Sequence, residues 1–439
     1  MMKSYFKNTT ADSFNGILLS LEGIKGSLVI LNGPSGCKFY HSSTSFGQMI
    51  RTFDFDPLNY PEKWYFGQPQ IPCTSIDNGD YVYGSADKLV ELLEFVRDGV
   101  EFDALFIVNS PGAALIGDDL RGLAEKVIDK EPVIILESPG FSETLSAGYK
   151  KAFLSMLPFI KKDGTECKNP RKLVNIIGLG IWGRNSLGDR EELQRLCDMM
   201  NIDVNCVLMS GSTFADIEKM AEADLNVVVA PEFGLEIGEI LKEKFGIPYM
   251  VTPPPIGFSV TEKWAMELCA TLEKTSRPCA ETPVADLVIE ESQKRRAECF
   301  HHISRINSLI GIPTGRPFAV EGRYSEVLAY GNFLLEYLGM TPDSLSIIDE
   351  KEDAYKEDLV EFLKKYGVAY ALDVPILETD AELVLAGGNT IGALKLQGKC
   401  FAGIDISLPT LGYIDVIPKT HLGLKGGSLL VELVLNGLV

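Results

Sequence analysis

The chain has 439 residues, with 41 Lys plus Arg against 61 Asp plus Glu, a formal charge of −20. Apolar residues make up 46% and charged residues 23%, enough for a large core, which excludes a wholly disordered chain. The length predicts about two to four domains, and the acidity argues against broad contact with nucleic acid or anionic membranes.

Nine cysteines are too few for a disulfide scaffold. The opening residues (MMKSYFKNTTADSF) lack the apolar stretch of a secretory signal. No apolar run approaches the roughly 18 residues needed to cross a bilayer. The expectation is a cytoplasmic, reduced protein with free thiols.

In chain order, short apolar runs read as buried strands. They are Ser27–Asn32, Asp103–Asn109, Pro132–Ser138, Leu173–Gly178, Val204–Met209, Leu225–Ala230 and Ile247–Thr252. Pro317–Val320, Leu345–Ile348, Glu382–Ala386 and Cys400–Ile406 follow. Near-continuous apolar strands predict parallel sheets covered on both faces. Amphipathic segments lie between them. Ser85–Val100 puts Leu89, Leu92, Leu93 and Val96 on one face; Asp189–Met200 opens acidic and turns Leu193, Leu196 and Cys197 inward. Lys351–Gly367 opens acidic and ends on lysines and a glycine stop. Pro283–Ile310 reads as a long crossover helix. Polar breaks at Lys161–Arg171 and Ser276–Thr282 divide the chain. The predicted class is α/β, with three Rossmann-like domains of mostly parallel sheets flanked by helices, over 1–165, 166–280 and 281–439.

Gly33-Pro34-Ser35-Gly36-Cys37 follows the first strand. The glycines allow a tight turn, and a following helix would aim its N-terminus at Cys37 and lower the thiol pKa. Cys37 reads as a reactive thiol or cluster ligand, or as a small buried cysteine after a turn. Cys73 lies in a loop-like stretch, where a ligand is better placed than on an apolar helix face. Cys197, Cys206, Cys269, Cys299 and Cys400 read as packing, and Cys167 and Cys279 fall on linkers. No CxxC occurs, so a self-contained zinc or ferredoxin-like site is not expected. His41 shares a helical face with Cys37 and reads as support for whatever Cys37 holds, or as a surface histidine. His301 and His302 are adjacent and point apart. Gly178-x-Gly180-x-x-Gly183 matches the dinucleotide fingerprint formally, but neither an immediate helix nor an acidic residue after the next strand follows. No GxxxxGK[ST] and no GxSxG occurs.

Together these segments resemble the nitrogenase component 1 family over nearly the whole chain. Gly33–Cys37 is similar to the family's cluster-binding turn, and Thr74–Ser85 to its acidic segment ending in VFGG. Ser110–Leu120 resembles its IGDD element, and Ser138–Tyr149 its TPGF helix start. Leu225–Phe233 and Lys244–Tyr249 resemble its middle domain, and His421–Glu432 its C-terminal glycine-rich segment.

The resemblance implies an iron–sulfur cluster, [4Fe–4S] in type. It also shows departures. Of the family's three cluster cysteines only Cys37 carries over. Thr9–Ser13 has none, and Ser110 replaces the one in the IGDD element. The family's cofactor-holding cysteine after the middle-domain strand is Ala230 here, which disfavours nitrogen fixation. Four ligands are usual for such a cluster. Cys37 and Cys73 from each protomer of a homodimer would supply them, and a cysteine-richer second component-1-like subunit would also complete the set. Ser110 and His41 are further candidates at that site.

The implied function is a nitrogenase-like reductase component. Its partner would be an ATP-dependent homodimeric iron–sulfur reductase that alone carries MgATP. Its substrate would lie in the crevice between domains. Glu232, Asn389 and His421 are pocket candidates at strand ends. The alternatives are a metallocluster assembly scaffold and a relative that has lost its cluster and binds a small ligand.

Overall fold

The structure is a computed structural model and describes residues 11–38, 71–137, 143–162, 170–275, 281–348, 354–407 and 417–439. Its eleven strands are β1 Ser27–Asn32, β2 Ala104–Asn109, β3 Val133–Glu137, β4 Lys172–Ile177, β5 Ile202–Val207, β6 Leu225–Val228, β7 Tyr249–Val251, β8 Pro317–Gly322, β9 Thr341–Ile347, β10 Leu383–Gly387 and β11 Ala402–Ser407. They correspond to the eleven apolar runs. β9 begins four residues earlier than its run, at Thr341, because only the end of that strand is apolar.

The strands form three separate parallel sheets, as expected for three α/β domains. The first has the order β1-β2-β3. The second is β5-β4-β6-β7, and the third, read in the matching direction, is β9-β8-β10-β11. The last two share one topology. In both, the first connection runs to one side and the next crosses to the other. The order therefore reverses between β4 and β6, and between β8 and β10. A crevice opens at the carboxyl ends of strands at such a reversal.

Local chemistry starts and stops the helices. Pro231–Phe245 begins with Pro231 at its first position, carries Glu232 in its first turn and Lys242 and Lys244 in its last, and stops at Gly246 with φ +74°. The crossover helix spans Asp286–Ile310 and ends on Gly311, φ +72°. Lys356–Lys365 is the helical part of the predicted 351–367 segment; residues 351–353 lie outside the described residues. No described helix is long and apolar enough to cross a membrane.

Two helices bind the first domain to the second. Ser13–Glu22 lies along Leu145–Met156, with Gly16 facing Gly148. A Cβ on Gly148 would collide with the Ser13 carbonyl and the Gly16 Cα. The next residue, Tyr149, is fully buried; its hydroxyl donates to the Leu208 carbonyl at 3.3 Å and accepts from the Gly178 N–H at 3.2 Å. The second and third domains are joined by buried Glu192, which accepts the backbone N–H groups of Leu424 and Lys425 at 3.1 Å. Arg195 closes on Glu192 at 2.7 Å and on Glu291 of the crossover helix at 2.7 Å. These ties make the three sheets share cores: one apolar cluster spans the first and second domains, another the second and third.

The Gly16–Gly148 crossing yields a test. Gly148→Ala should destabilise the chain by about 1–3 kcal/mol through overpacking, read as a lowered urea midpoint with an unchanged slope.

Candidate functional site

At the carboxyl edge of β1 and β2, Leu31 bridges Cys73 in parallel, and Cys73 Sγ donates to the Gly33 carbonyl at 3.2 Å. Thr74 Oγ1 accepts from the Gly33 N–H at 2.9 Å and donates to Asn32 Oδ1 at 3.0 Å. Asn32, Asn109 and Glu137 are register partners on β1, β2 and β3, linked side chain to side chain at 3.0 and 2.9 Å. This ladder fixes the strand ends from which the Gly33–Cys37 turn leaves. Gly33 is needed there, because a Cβ would lie 2.5 Å from Ser110 Oγ. Ser110 is fully buried and holds its own turn by accepting the Ala113 N–H at 3.3 Å.

Cys37 and Cys73 are both half-buried and pack against the same apolar cluster. Cys37 sits within a 3₁₀ turn, Ser35–Lys38. The lowered thiol pKa expected from a helix N-terminus is not what the structure gives. Burial pushes the Cys37 thiol up, and Cys73 and Asp12 nearby add to the shift. His41 lies outside the described residues, as do Cys167 and Cys279. Cys197, Cys206, Cys269 and Cys299 are buried as packing residues. Cys400 is exposed and precedes β11 instead of lying in it. Among the described residues no group of three His, Cys, Asp or Glu side chains is placed to hold a metal.

The crevice has a volume of about 1050 Å³, its open mouth included, and lies where the three domains meet. Gly178, Leu179, Gly180, Trp182 and Gly183 after β4, Ala230 after β6 and Arg323 after β8 line it, with Leu145 from the first domain and His421 from the last segment. It thus occupies the reversal point of the second sheet and faces the carboxyl ends of β8, β9 and β11 in the third. Its floor is a column of side chains. Trp182 stacks on Phe233 at 4.7 Å, the Arg323 guanidinium lies 4.6 Å over Phe233, and Tyr149 meets both aromatic rings edge-on at 5.0 and 5.8 Å.

This geometry also explains the glycine fingerprint. A Cβ on Gly180 would overlap the Trp182 ring, and one on Gly178 would lie 2.8 Å from the Ala230 carbonyl. These two glycines serve packing of the crevice floor.

The predicted pocket residues divide. His421 is buried and lines the crevice, with Nδ1 at 2.8 Å from the Tyr330 hydroxyl. Glu232 does not line it. Its carboxylate turns away to Ser325, accepting the backbone N–H at 2.9 Å and the hydroxyl at 2.7 Å, because the N-terminus of the Tyr324–Gly331 helix offers it donors. Burial raises the Glu232 pKa. Asn389 opens the Gly388–Leu396 helix and is likewise absent from the crevice lining.

Sequence reading missed Trp182, Phe233, Arg323, Tyr330 and Asp189 in the wall. Asp189 looked like an ordinary acidic first turn. It accepts from Thr420 Oγ1 at 2.7 Å and the His421 N–H at 3.3 Å, and burial raises its carboxyl to about 7.

Cysteine edge and crevice adjoin. Ala11 lines the crevice and packs in the cluster that holds Cys37 and Cys73, while Asp12 is close enough to act on the Cys37 thiol.

A family model described as nitrogenase component 1 type oxidoreductase matches residues 13–391. The chain belongs to that family. Among its relatives is a light-independent protochlorophyllide reductase subunit from Synechococcus sp. (strain CC9311), 30% identical over 46% of this chain and 40% of that protein. Another is the nitrogenase molybdenum-iron protein alpha chain of Methanothermobacter marburgensis, 27% identical over 52% of this chain and 48% of that protein. The chain therefore spans less than half the length of these curated relatives. A solved structure titled nitrogenase Cp1 at pH 6.5 superposes with a TM-score of 0.73 at 17% identity, covering 98% of this chain and 92% of that one. That likeness shows a component 1 fold.

Two measurements test the crevice. Arg323→Ala should cost about 2 kcal/mol by removing a buried cation–π contact and an ion-pair partner of Glu326. Arg323→Lys should recover only part of this in urea melts, since an ammonium cannot stack. Asp189 holds its proton more tightly folded than unfolded. Its contribution is therefore full below the ordinary aspartate pKa and lost as pH rises to about 7. Asp189→Asn should flatten the fall of Tm over that window.

Proposed function

We propose that the chain is a nitrogenase-like reductase component. It works with an iron–sulfur cluster at the Cys37–Cys73 edge and a substrate in the crevice. The observation that carries this reading is the adjacency of the two sites. Two half-buried thiols lie at the edge of the first sheet, and Ala11–Asp12 spans from them to a crevice built by all three domains.

The residues fit a shared cluster. Cys37 and Cys73 come close enough to interact electrostatically, and both are half-buried at the boundary of the core. One chain offers two thiolates, half of the usual set of about four for a [4Fe–4S] cluster. A homodimer, or a heterodimer with a second component-1-like subunit, completes it. When bound, such a cluster takes up and releases single electrons. The buried hydrogen bonds of Thr74, Asn32 and Asn109 keep the Gly33–Cys37 turn and Cys73 in one geometry, so little reorganisation accompanies a change of charge. Ser110 supports the turn from beneath and offers an oxygen near it.

Electrons would come from an ATP-dependent homodimeric iron–sulfur reductase. With a charge of −20, this chain calls for a basic docking face on that partner and for binding that weakens with salt. The substrate class is a tetrapyrrole or a small sulfur or carbon compound. Protochlorophyllide, for which the Synechococcus relative is named, is a first probe.

A second reading, a metallocluster assembly scaffold, draws support from Ala230. That residue puts a methyl group on the crevice wall where the resemblance placed a cofactor thiol. Turnover with the cluster retained would exclude it.

Anaerobic purification with iron and sulfide analysis tests the main reading. The expected content is about two iron atoms per chain. Cys37→Ala and Cys73→Ala should each remove the cluster's absorption and leave the stability of the cluster-free protein within about 1 kcal/mol of the parent. No iron after reconstitution would overturn it.

A further inference from the structure

The crevice wall carries acid–base groups that the cysteine edge does not use. Asp189 stands in the first turn of the Ser186–Met199 helix and faces the segment Thr420–Leu422. Its Oδ1 accepts from the Thr420 hydroxyl and the His421 backbone N–H. The His421 ring is held in turn by the Tyr330 hydroxyl at Nδ1, with the two rings edge to face at 5.9 Å. Asp189, Tyr330 and His421 all line the crevice. They come from different elements of the second and third domains, so the packing of those domains assembles them.

The crevice needs a proton source. Leu145, Phe233, Ile256, Ile348 and Ile406 give its wall an apolar character. Electrons added to a molecule there create charge with little water to screen it, and protonation removes that charge. The neighbouring charged groups are Glu192 on Asp189's own helix, Arg184 on the preceding loop, and Arg323 and Glu326 beside Tyr330. Glu326 is engaged, accepting the Arg323 backbone N–H at 2.9 Å, and the Arg323 guanidinium lies on Phe233. Burial and Glu192 hold the Asp189 carboxyl up at about 7 against the hydrogen bonds it accepts. Tyr330 keeps its proton, since burial, Asp189 and Glu326 all raise its pKa. The Tyr330 hydroxyl and His421 Nδ1 share a hydrogen bond at 2.8 Å that fixes the ring.

We propose that Asp189 is the general acid of the crevice, and that Tyr330 and His421 are the positioning residues that hold its hydrogen-bonding segment. This rests on the reductase reading above. In the step, the Asp189 O–H bond breaks. Its proton bonds to the substrate atom that has gained an electron pair, supplied as two single electrons by the iron–sulfur reductase. The carboxylate left behind is reprotonated from water.

Two arms test this. The first needs no turnover: infrared titration of the cluster-free chain and of Asp189→Asn between pH 5 and 9. The expected result is a protonated-carboxyl band that disappears as pH rises through about 7 and is missing from Asp189→Asn. Tyr330→Phe should move that midpoint while leaving the band present. A band already lost at pH 5, or one unchanged in Asp189→Asn, would overturn the proposal. The second arm is reduction of protochlorophyllide by the cluster-loaded protein with its reductase. Asp189→Asn should lower kcat about 10²-fold, leave KM nearly unchanged and abolish the alkaline fall in rate. Tyr330→Phe should shift that fall without abolishing it. An Asp189→Asn protein that keeps the wild-type kcat and pH profile would overturn the proposal. A wild-type protein that shows the expected band but reduces nothing would count against the reductase reading alone.

Discussion

Four side chains from three domains stack into one column, and the crevice is the space above it. Tyr149 comes from the first domain, Trp182 and Phe233 from the second, Arg323 from the third. Arg323, Phe233 and Trp182 stack and Tyr149 meets the two aromatic rings edge-on, so each domain contributes a contact that the others complete. The column also dictates local sequence. Gly180 must lack a side chain because Trp182 lies where it would be, and Gly178 must because Ala230 does. Tyr149 reaches its place only because Gly148 lets two helices touch. A fingerprint that looks like nucleotide binding is, at these positions, the packing signature of the floor.

The same architecture separates two kinds of surface. Among the described residues the first sheet runs β1-β2-β3 without reversal. Its carboxyl edge instead ends in a ladder of amides and a carboxylate, Asn32–Asn109–Glu137, which pins a glycine turn and a pair of thiols. The other two sheets reverse and open toward each other. Polar groups thus mark one edge, and a partly apolar cavity the other. Glu192 and Arg195 lock the second arrangement by tying the last helix to the middle domain.

The strands were legible because parallel strands covered on both faces must be apolar at nearly every position, and such runs stand out in a sequence. The Ser13–Glu22 helix escaped for a related reason. It is buried on nearly every side, so it has no polar face and no helical period to detect. Site residues were harder. Cys37, Cys73 and His421 carry side chains whose chemistry attracts notice wherever they stand. Glu232 and Asn389 were placed by strand-end position alone, and position does not say which way a side chain turns. Glu232 turned to the Ser325 helix N-terminus, where two donors were available to a buried carboxylate. Asp189 was visible only as a helix opener; its partners, Thr420 and His421, lie more than two hundred residues away.

The cysteine edge and the crevice are close because the chain passes between them at Ala11 and Asp12. Asp12 caps the Ser13–Glu22 helix by accepting the Asn15 N–H at 3.0 Å, so this junction is fixed by the helix it starts. That helix is held against Leu145–Met156 by the glycine contact, and Leu145–Met156 carries Tyr149 into the column. One line of packing therefore runs from the thiols to the floor of the crevice. The Cys37 thiol at one end of this line and the Asp189 carboxyl in the crevice wall are both shifted upward by burial.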